Sequence, residues 1–260
     1  MANELIQTLT NNLDASLIAV QEALPNDLNK ARFLQNTIAV IKANPNLTKY
    51  NQNELLTCCL QGAYLGLDFM NKEAWIVPYG SQVQFQMGYK GACKFVKKYS
   101  IRPIKDIYAK VVRKGDDFEY GDEDGKQYLH WKPIPFSDGE MIGTFACVLF
   151  EDGGVLYEVM SKAEIDKIRK RSRAGSSGPW VTDYEEMAKK TVLKRICKNV
   201  ETDFDNSEQR AAWEADNKEY EMQPTAPADV VDPFATSDEE ADAIEVEATV
   251  TDIPEVEQFK

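Results

Sequence analysis

WVTDYEEMAKKTVLKRICKNV, residues 180–200, is the stretch from which the rest of the chain can be read. Thr182 followed three residues later by Glu185 has the form of a capping box and predicts that a helix starts there. Asp183, Glu185 and Glu186 lie at the positive end of that helix dipole, and Lys194, Arg195 and Lys198 at the negative end. At 3.6 residues per turn, Ala188, Val192, Leu193, Ile196, Cys197 and Val200 form one apolar arc. Lys190, Lys194 and Lys198 then stack on the opposite side, while Lys189 falls inside the arc, where it either snorkels out or reaches a groove against a neighbouring helix. A basic stripe is by default a solvated face, so the surrounding charge decides how to read it.

The chain's formal charge is -13, which argues against a polyanionic partner, but the charge is unevenly placed. From Glu201 onward there are 19 acidic and 3 basic residues, leaving 24 acids and 27 bases in residues 1–200. Lys90 to Lys114 carries nine bases against Asp106, and Lys162 to Lys198 carries eleven bases against five acids. Two basic blocks and an acidic tail are the footprint of a polyanion binder. Five cysteines without CxxC spacing read as reduced core residues, and neither a signal segment nor a membrane-length apolar run is evident, which together predict a cytoplasmic protein.

Upstream, residues 3–22 have roughly helical apolar spacing. Leu28 to Ala43 reads as a helix ended by Asn44-Pro45, and Asn53 as the cap of a third helix. Ala74–Tyr79 and Gln82–Gly88 read as a hairpin through Gly80-Ser81, in which Val83, Phe85 and Met87 face the core and Gln84 and Gln86 offer amides. Tyr89–Tyr99 follows as a helix carrying Lys90, Lys94 and Lys98, and its N-terminus suits a phosphate. Five segments between 104 and 160, joined by GDEDG, SDGE and EDGG turns, read as antiparallel strands. Ser161 and Glu164 cap a basic helix holding Arg169, Arg171 and Arg173, and the small AGSSG loop joins it to Pro179-Trp180 as a mobile clamp. Tyr89 and Trp180, each at the entrance of a basic helix, are the candidate stacking platforms for bases.

Catalysis finds little support. His130 is the only histidine, no HExxH, GxSxG or P-loop spacing occurs, and the acids of 116–124 sit on a hairpin end. No catalytic or metal-ligating residues are assigned, and a non-enzyme is expected.

AYLGLDF (63–69), WIVPYGSQVQFQMGYKG (75–91), MSKAEIDKIRKRS (160–172) and PWVTDYEEMAKKTVLKR (179–195) closely resemble the RecT family of phage single-strand annealing proteins. The resemblance implies an α+β fold, an antiparallel sheet with packed helices forming a narrow basic groove. The groove would be lined by the turn at Tyr89 and Lys90, by Arg169, Arg171 and Arg173, and by Lys189, Lys190, Thr191, Lys194 and Arg195. It further implies single-stranded DNA binding, an annealed duplex intermediate, a homo-oligomer as ring or helical filament, and annealing without ATP. No cofactor is required, although a divalent cation such as Mg²⁺ would assist. A phage exonuclease is the expected partner and a host single-strand binding protein a further one, with no membrane. The expected organisation is a helical segment over 1–24 for subunit contact, a DNA-binding and annealing core over 25–200, a short helix over 201–222 and a disordered acidic tail over 223–260 that competes with DNA or recruits a basic partner. The alternatives are a non-annealing module for nucleic acid or an acidic protein, and a metal-dependent nuclease.

Overall fold

The computed structural model describes residues 2–172 and 175–218. Helix α1 (Ala2–Ala19) sends Leu9, Leu13 and Leu17, about one turn apart, into the core. The segment expected to be helical over 1–24 packs on its neighbours within one shared core. Helix α2 (Lys30–Ala43) begins where the Asn29 side chain accepts a hydrogen bond from the Arg32 amide at 2.9 Å, and it stops at Asn44, before Pro45. Helix α3 (Gln52–Tyr64) is capped by Asn51 instead of Asn53, because Asn51 Oδ1 accepts from the amides of Asn53 and Glu54. With two asparagines so close, residue preference alone does not choose between them; the backbone does.

Strands β1 (Ala74–Tyr79) and β2 (Gln82–Met87) form the expected hairpin, with Gly80 at φ 59° in its turn. Val83, Phe85 and Met87 are buried, and β2 packs on α3. Helix α4 (Tyr89–Tyr99) starts at Gly88, whose amide donates to the Glu73 carbonyl at 2.9 Å. Gly91 is required here, since a Cβ on it would lie 2.1 Å from the same carbonyl oxygen.

Strands β3 (Ile104–Arg113), β4 (Asp117–Glu123), β5 (Lys126–Lys132), β6 (Met141–Phe150) and β7 (Val155–Ser161) fall close to their expected places. They divide into an antiparallel sheet of order β3-β6-β7 and a separate β4-β5 hairpin. The reason lies in β6, which is buried along nearly its whole length. Ala146 and Val148 face the main helical core, while Phe145 and Cys147 face the hairpin, whose Phe118 and Trp131 rings lie 5.3 and 5.5 Å from Phe145. A strand apolar on both faces needs a layer on each side.

Helix α5 (Lys162–Arg171) opens on the predicted capping box. The Ser161 hydroxyl accepts from the Glu164 amide, and the Glu164 carboxylate accepts from the Ser161 amide at 2.9 Å. Residues 180–200 are not one helix. A short α6 (Pro179–Thr182) breaks at Asp183, and α7 (Tyr184–Lys198) follows. The predicted capping box does not form there, because Thr182 closes α6 and Asp183, one residue later, is the N-cap of α7; the Thr182 hydroxyl donates to the Asp183 carboxylate at 2.6 Å. Along α7, Ala188, Val192, Ile196 and Cys197 are buried against the sheet and α4, as their spacing requires.

Helix α8 (Ser207–Lys218) lies inside the core, not beyond its edge. Trp213 stacks on Phe95 at 4.6 Å, and the fully buried Gln209 accepts from the Asp205 amide and donates to the Tyr64 carbonyl. The Met87 amide at the end of β2 donates to Asp216 Oδ1 at 2.8 Å. The expected tail over 223–260 lies outside the described residues.

Candidate nucleic-acid interface

Between the first turn of α4, strand β3 and helix α7 lies a cleft of about 180 Å³, lined by Tyr89, Ala109, Glu186, Lys189, Lys190 and Leu193. Three of the expected binding residues, Tyr89, Lys189 and Lys190, meet there although a hundred residues separate the tyrosine from the lysines. The small Ala109 side chain leaves the floor open, and Leu193 supplies an apolar wall. Lys189, drawn in the sequence inside the apolar arc, emerges into the cleft and pairs with Glu186. Burial pushes the Tyr89 phenol up, and the nearby Glu186 carboxylate adds to this, so the hydroxyl stays protonated at neutral pH and can donate. The cleft therefore offers two ammonium groups, one of them paired with the Glu186 carboxylate, and one half-buried ring.

The other candidates lie outside the cleft lining, some exposed and some in pairs with acids. Lys90 is exposed on the first turn of α4. Lys94 donates to the Gly66 carbonyl at 3.0 Å and pairs with Glu73 at 2.7 Å, Lys98 pairs with Asp27, and Arg195 pairs with Glu158 at 2.8 Å. On α5, Arg171 is exposed, whereas Arg169 Nε donates to the Gly175 carbonyl at 2.7 Å, which ties the AGSSG loop to the helix; Arg173 lies outside the described residues. The Arg169 guanidinium also stands 5.7 Å from the Tyr184 ring. Lys198 is exposed near the C-terminus of α7, and Gln84 and Gln86 are half-buried on β2, with the Gln86 amide donating to the Tyr79 hydroxyl. None of these last three lines the cleft.

Three expectations are corrected. Trp180 is 4% exposed and packs against Tyr184 at 6.1 Å, so its ring is part of the core and not a stacking platform. Thr191 is buried and its hydroxyl donates to the Met187 carbonyl at 2.8 Å, as a helix-interior threonine does when its face is covered. Lys194 does not share an open stripe with Lys190. Its side chain is 13% exposed, with its ammonium 3.2 Å from the Oδ2 of a fully buried Asp216. Helix α8 covers that side of α7, and an acid far along the chain gave no sequence signal of doing so.

Among the described residues no group of three or more His, Cys, Asp or Glu side chains converges as a metal site. No helix among them is long and apolar enough to cross a membrane. Asp116, one of the acids weighed as a nuclease cluster, instead anchors the 133–140 segment. Its carboxylate accepts from the Arg113 and Ile134 amides at 2.9 and 3.0 Å and from the Trp131 indole at 3.3 Å.

A three-stranded sheet layered with helices, carrying cations and a half-buried tyrosine in one cleft, defines an α+β protein. The chain belongs to the RecT family, whose pattern matches residues 31–230. It is 30% identical over 186 residues to Protein RecT of Escherichia coli (strain K12), covering 68% of each chain. It is also 26% identical over 176 residues to the uncharacterized protein YqaK of Bacillus subtilis (strain 168), covering 64% of this chain and 57% of that one. Membership makes this a DNA recombination and strand-annealing protein.

Proposed function

We propose that the protein binds single-stranded DNA along the cationic cleft, oligomerises on it and anneals complementary strands without nucleotide hydrolysis. The observation that carries this reading is the convergence of Tyr89 with Lys189 and Lys190 in one cleft. The ammonium groups hold phosphates and the ring takes the face of a base, so recognition is tolerant of sequence. Lys94, Lys98 and Arg195 lie outside the cleft lining in pairs with acids, of which Lys98–Asp27 is exposed on both sides. An exposed pair is worth little, so Lys98 can exchange its carboxylate for a phosphate at small cost.

Annealing requires two strands side by side, and neighbouring subunits bearing the same cleft would supply the second. Base pairing then drives the reaction, with a divalent cation such as Mg²⁺ screening the remaining phosphate repulsion. A phage exonuclease that generates the single strand and a host single-strand binding protein are the partners this reading calls for.

The test is annealing of two fluorescently labelled complementary oligonucleotides without ATP, with salt titrated in parallel. Annealing well above the spontaneous rate, and steeply weakened by salt, is expected. Binding without acceleration would leave a module that holds DNA without pairing it, and absence of both would overturn the assignment of the cleft.

A further inference from the structure

Phe136 lies in the 133–140 connection between β5 and β6, and its ring is fully exposed at 103% of the reference area. Its backbone sits at φ 55°, a region that bulky residues rarely occupy. The segment around it is nevertheless firmly built. The Ile134 amide bonds Asp116, the Gly139 amide bonds the Ser137 hydroxyl at 3.1 Å, and the Lys114 amide bonds the Glu140 carbonyl at 2.9 Å. Strain held in place by its surroundings, and spent on exposing an apolar ring, points to a contact that the ring makes outside the fold.

The position of the segment says which contact. Arg113 at the end of β3 donates through Nη1 to the Gly139 carbonyl at 2.9 Å and through Nη2 to Glu185 at 2.7 Å. Glu185 precedes Glu186, which lines the cleft, and β3 also supplies Ala109 to the cleft floor, four residues before Arg113. The segment is therefore clamped to the end of the cleft nearest the start of α7, about 13 Å along β3 from Ala109 at roughly 3.3 Å per residue. Lys114 and Lys132 are exposed beside it, Lys162 is paired with the segment's Glu140 at 2.8 Å, and Asp138 is a further exposed acid. An exposed ring on a segment flanked by Lys114 and Lys132, anchored about 13 Å along β3 from the cleft floor, fits an unstacked base better than an apolar protein surface.

We propose that Phe136 is a second stacking platform, taking a base of the single strand where it leaves the Tyr89 cleft; this rests on the DNA-binding reading above. The ring holds one base out of the stack of its neighbours with its pairing edge open, which is the state annealing needs. The contact is with a base face, so it carries no phosphate and no sequence code.

The test is Phe136→Gly beside Phe136→Trp, with affinity for short labelled single strands measured over a salt series, melting temperature, and sedimentation of the free protein. Glycine accepts the positive φ, so the first variant should melt at or above the wild-type temperature. Its affinity should fall about 5- to 150-fold, the range found for loss of one stacked base, with the salt slope unchanged. The tryptophan variant should bind at least as well as wild type, and its fluorescence should be quenched by the strand. Wild-type affinity in Phe136→Gly would overturn this inference alone, as would a variant whose only change is weaker self-association without DNA, which would assign the ring to a contact between copies. A wild-type protein that binds no single strand would overturn the cleft reading and this inference with it.

Discussion

Lys190 and Lys194 are one helical turn apart and identical in a helical projection, yet they do different work. Lys190 lines the cleft, and Lys194 lies beside a carboxylate that has no access to water. Lys190→Ala should weaken binding to all single strands alike and lower the salt slope by about 0.7, the value for one lost phosphate contact on a single strand. Lys194→Met should leave the slope unchanged and lower the unfolding free energy by about 3–5 kcal/mol in urea titration, because Asp216 would stay buried without its counter-charge. Equal effects of the two variants on stability would contradict this division. Asp116 gives a pH prediction at the same scale. Desolvation pushes its carboxyl up, but the hydrogen bonds from the Arg113 and Ile134 amides and the Trp131 indole outweigh that and hold it below the ordinary 3.8. A depressed carboxylate stabilises above its unfolded value and loses that contribution as pH falls through its folded value. The Trp131 indole N–H resonance should therefore hold steady from pH 7 to about 4 and shift only below the ordinary carboxylate value. Residue identity told the sequence reading that α7 carries lysines; it could not tell which of them a helix from farther along the chain would cover.

At the level of elements, local signals were legible where the partners are local. The Ser161–Glu164 capping box forms as its spacing predicts, and Ser161→Ala should cost about 1 kcal/mol in thermal or urea unfolding. The same pattern at Thr182–Glu185 fails because a turn of helix already runs through Thr182 and the break falls at Asp183. A spacing rule does not register where the preceding turn ends. Gly91 shows the opposite case, a residue whose reason is not local at all. Alanine there would gain about 1 kcal/mol in helix propensity. Its Cβ would meet a backbone oxygen at 2.1 Å, which cannot swing aside, so overpacking of about 1–3 kcal/mol should win. Gly91→Ala is expected to lower the melting temperature, and a rise would mean that α4 is free to shift from the 68–73 turn.

Taken whole, the α+β class, the hairpin before α4 and the strand positions of 104–160 were readable from alternation and turn chemistry. How those strands divide between layers was not. The division depends on Phe118 and Trp131 covering the Phe145 face of β6, a contact between distant residues. The end of the core was also misplaced, since the acidic run from Glu201 hides Trp213 and Asp216 among tail-like residues. Two truncations separate tail from core. Ending the chain after Lys218 removes 13 acids and one base and keeps α8, so binding to single strands at low salt should tighten if the tail competes for the cleft. Ending it after Val200 removes Trp213 from Phe95, and a buried tryptophan alone is worth about 3–5 kcal/mol, so that product should unfold cooperatively at a much lower temperature or aggregate.

The closure of the core by α8 also sets an order of events in the cell. Phe95 leaves the ribosome 118 residues ahead of the tryptophan that covers it. At about 5–20 residues per second, the nascent chain waits roughly 6–24 seconds with that apolar face and the Met87 amide open to its surroundings. Through that interval the growing polypeptide shows the kind of apolar surface that chaperones bind, and the core closes only when α8 arrives.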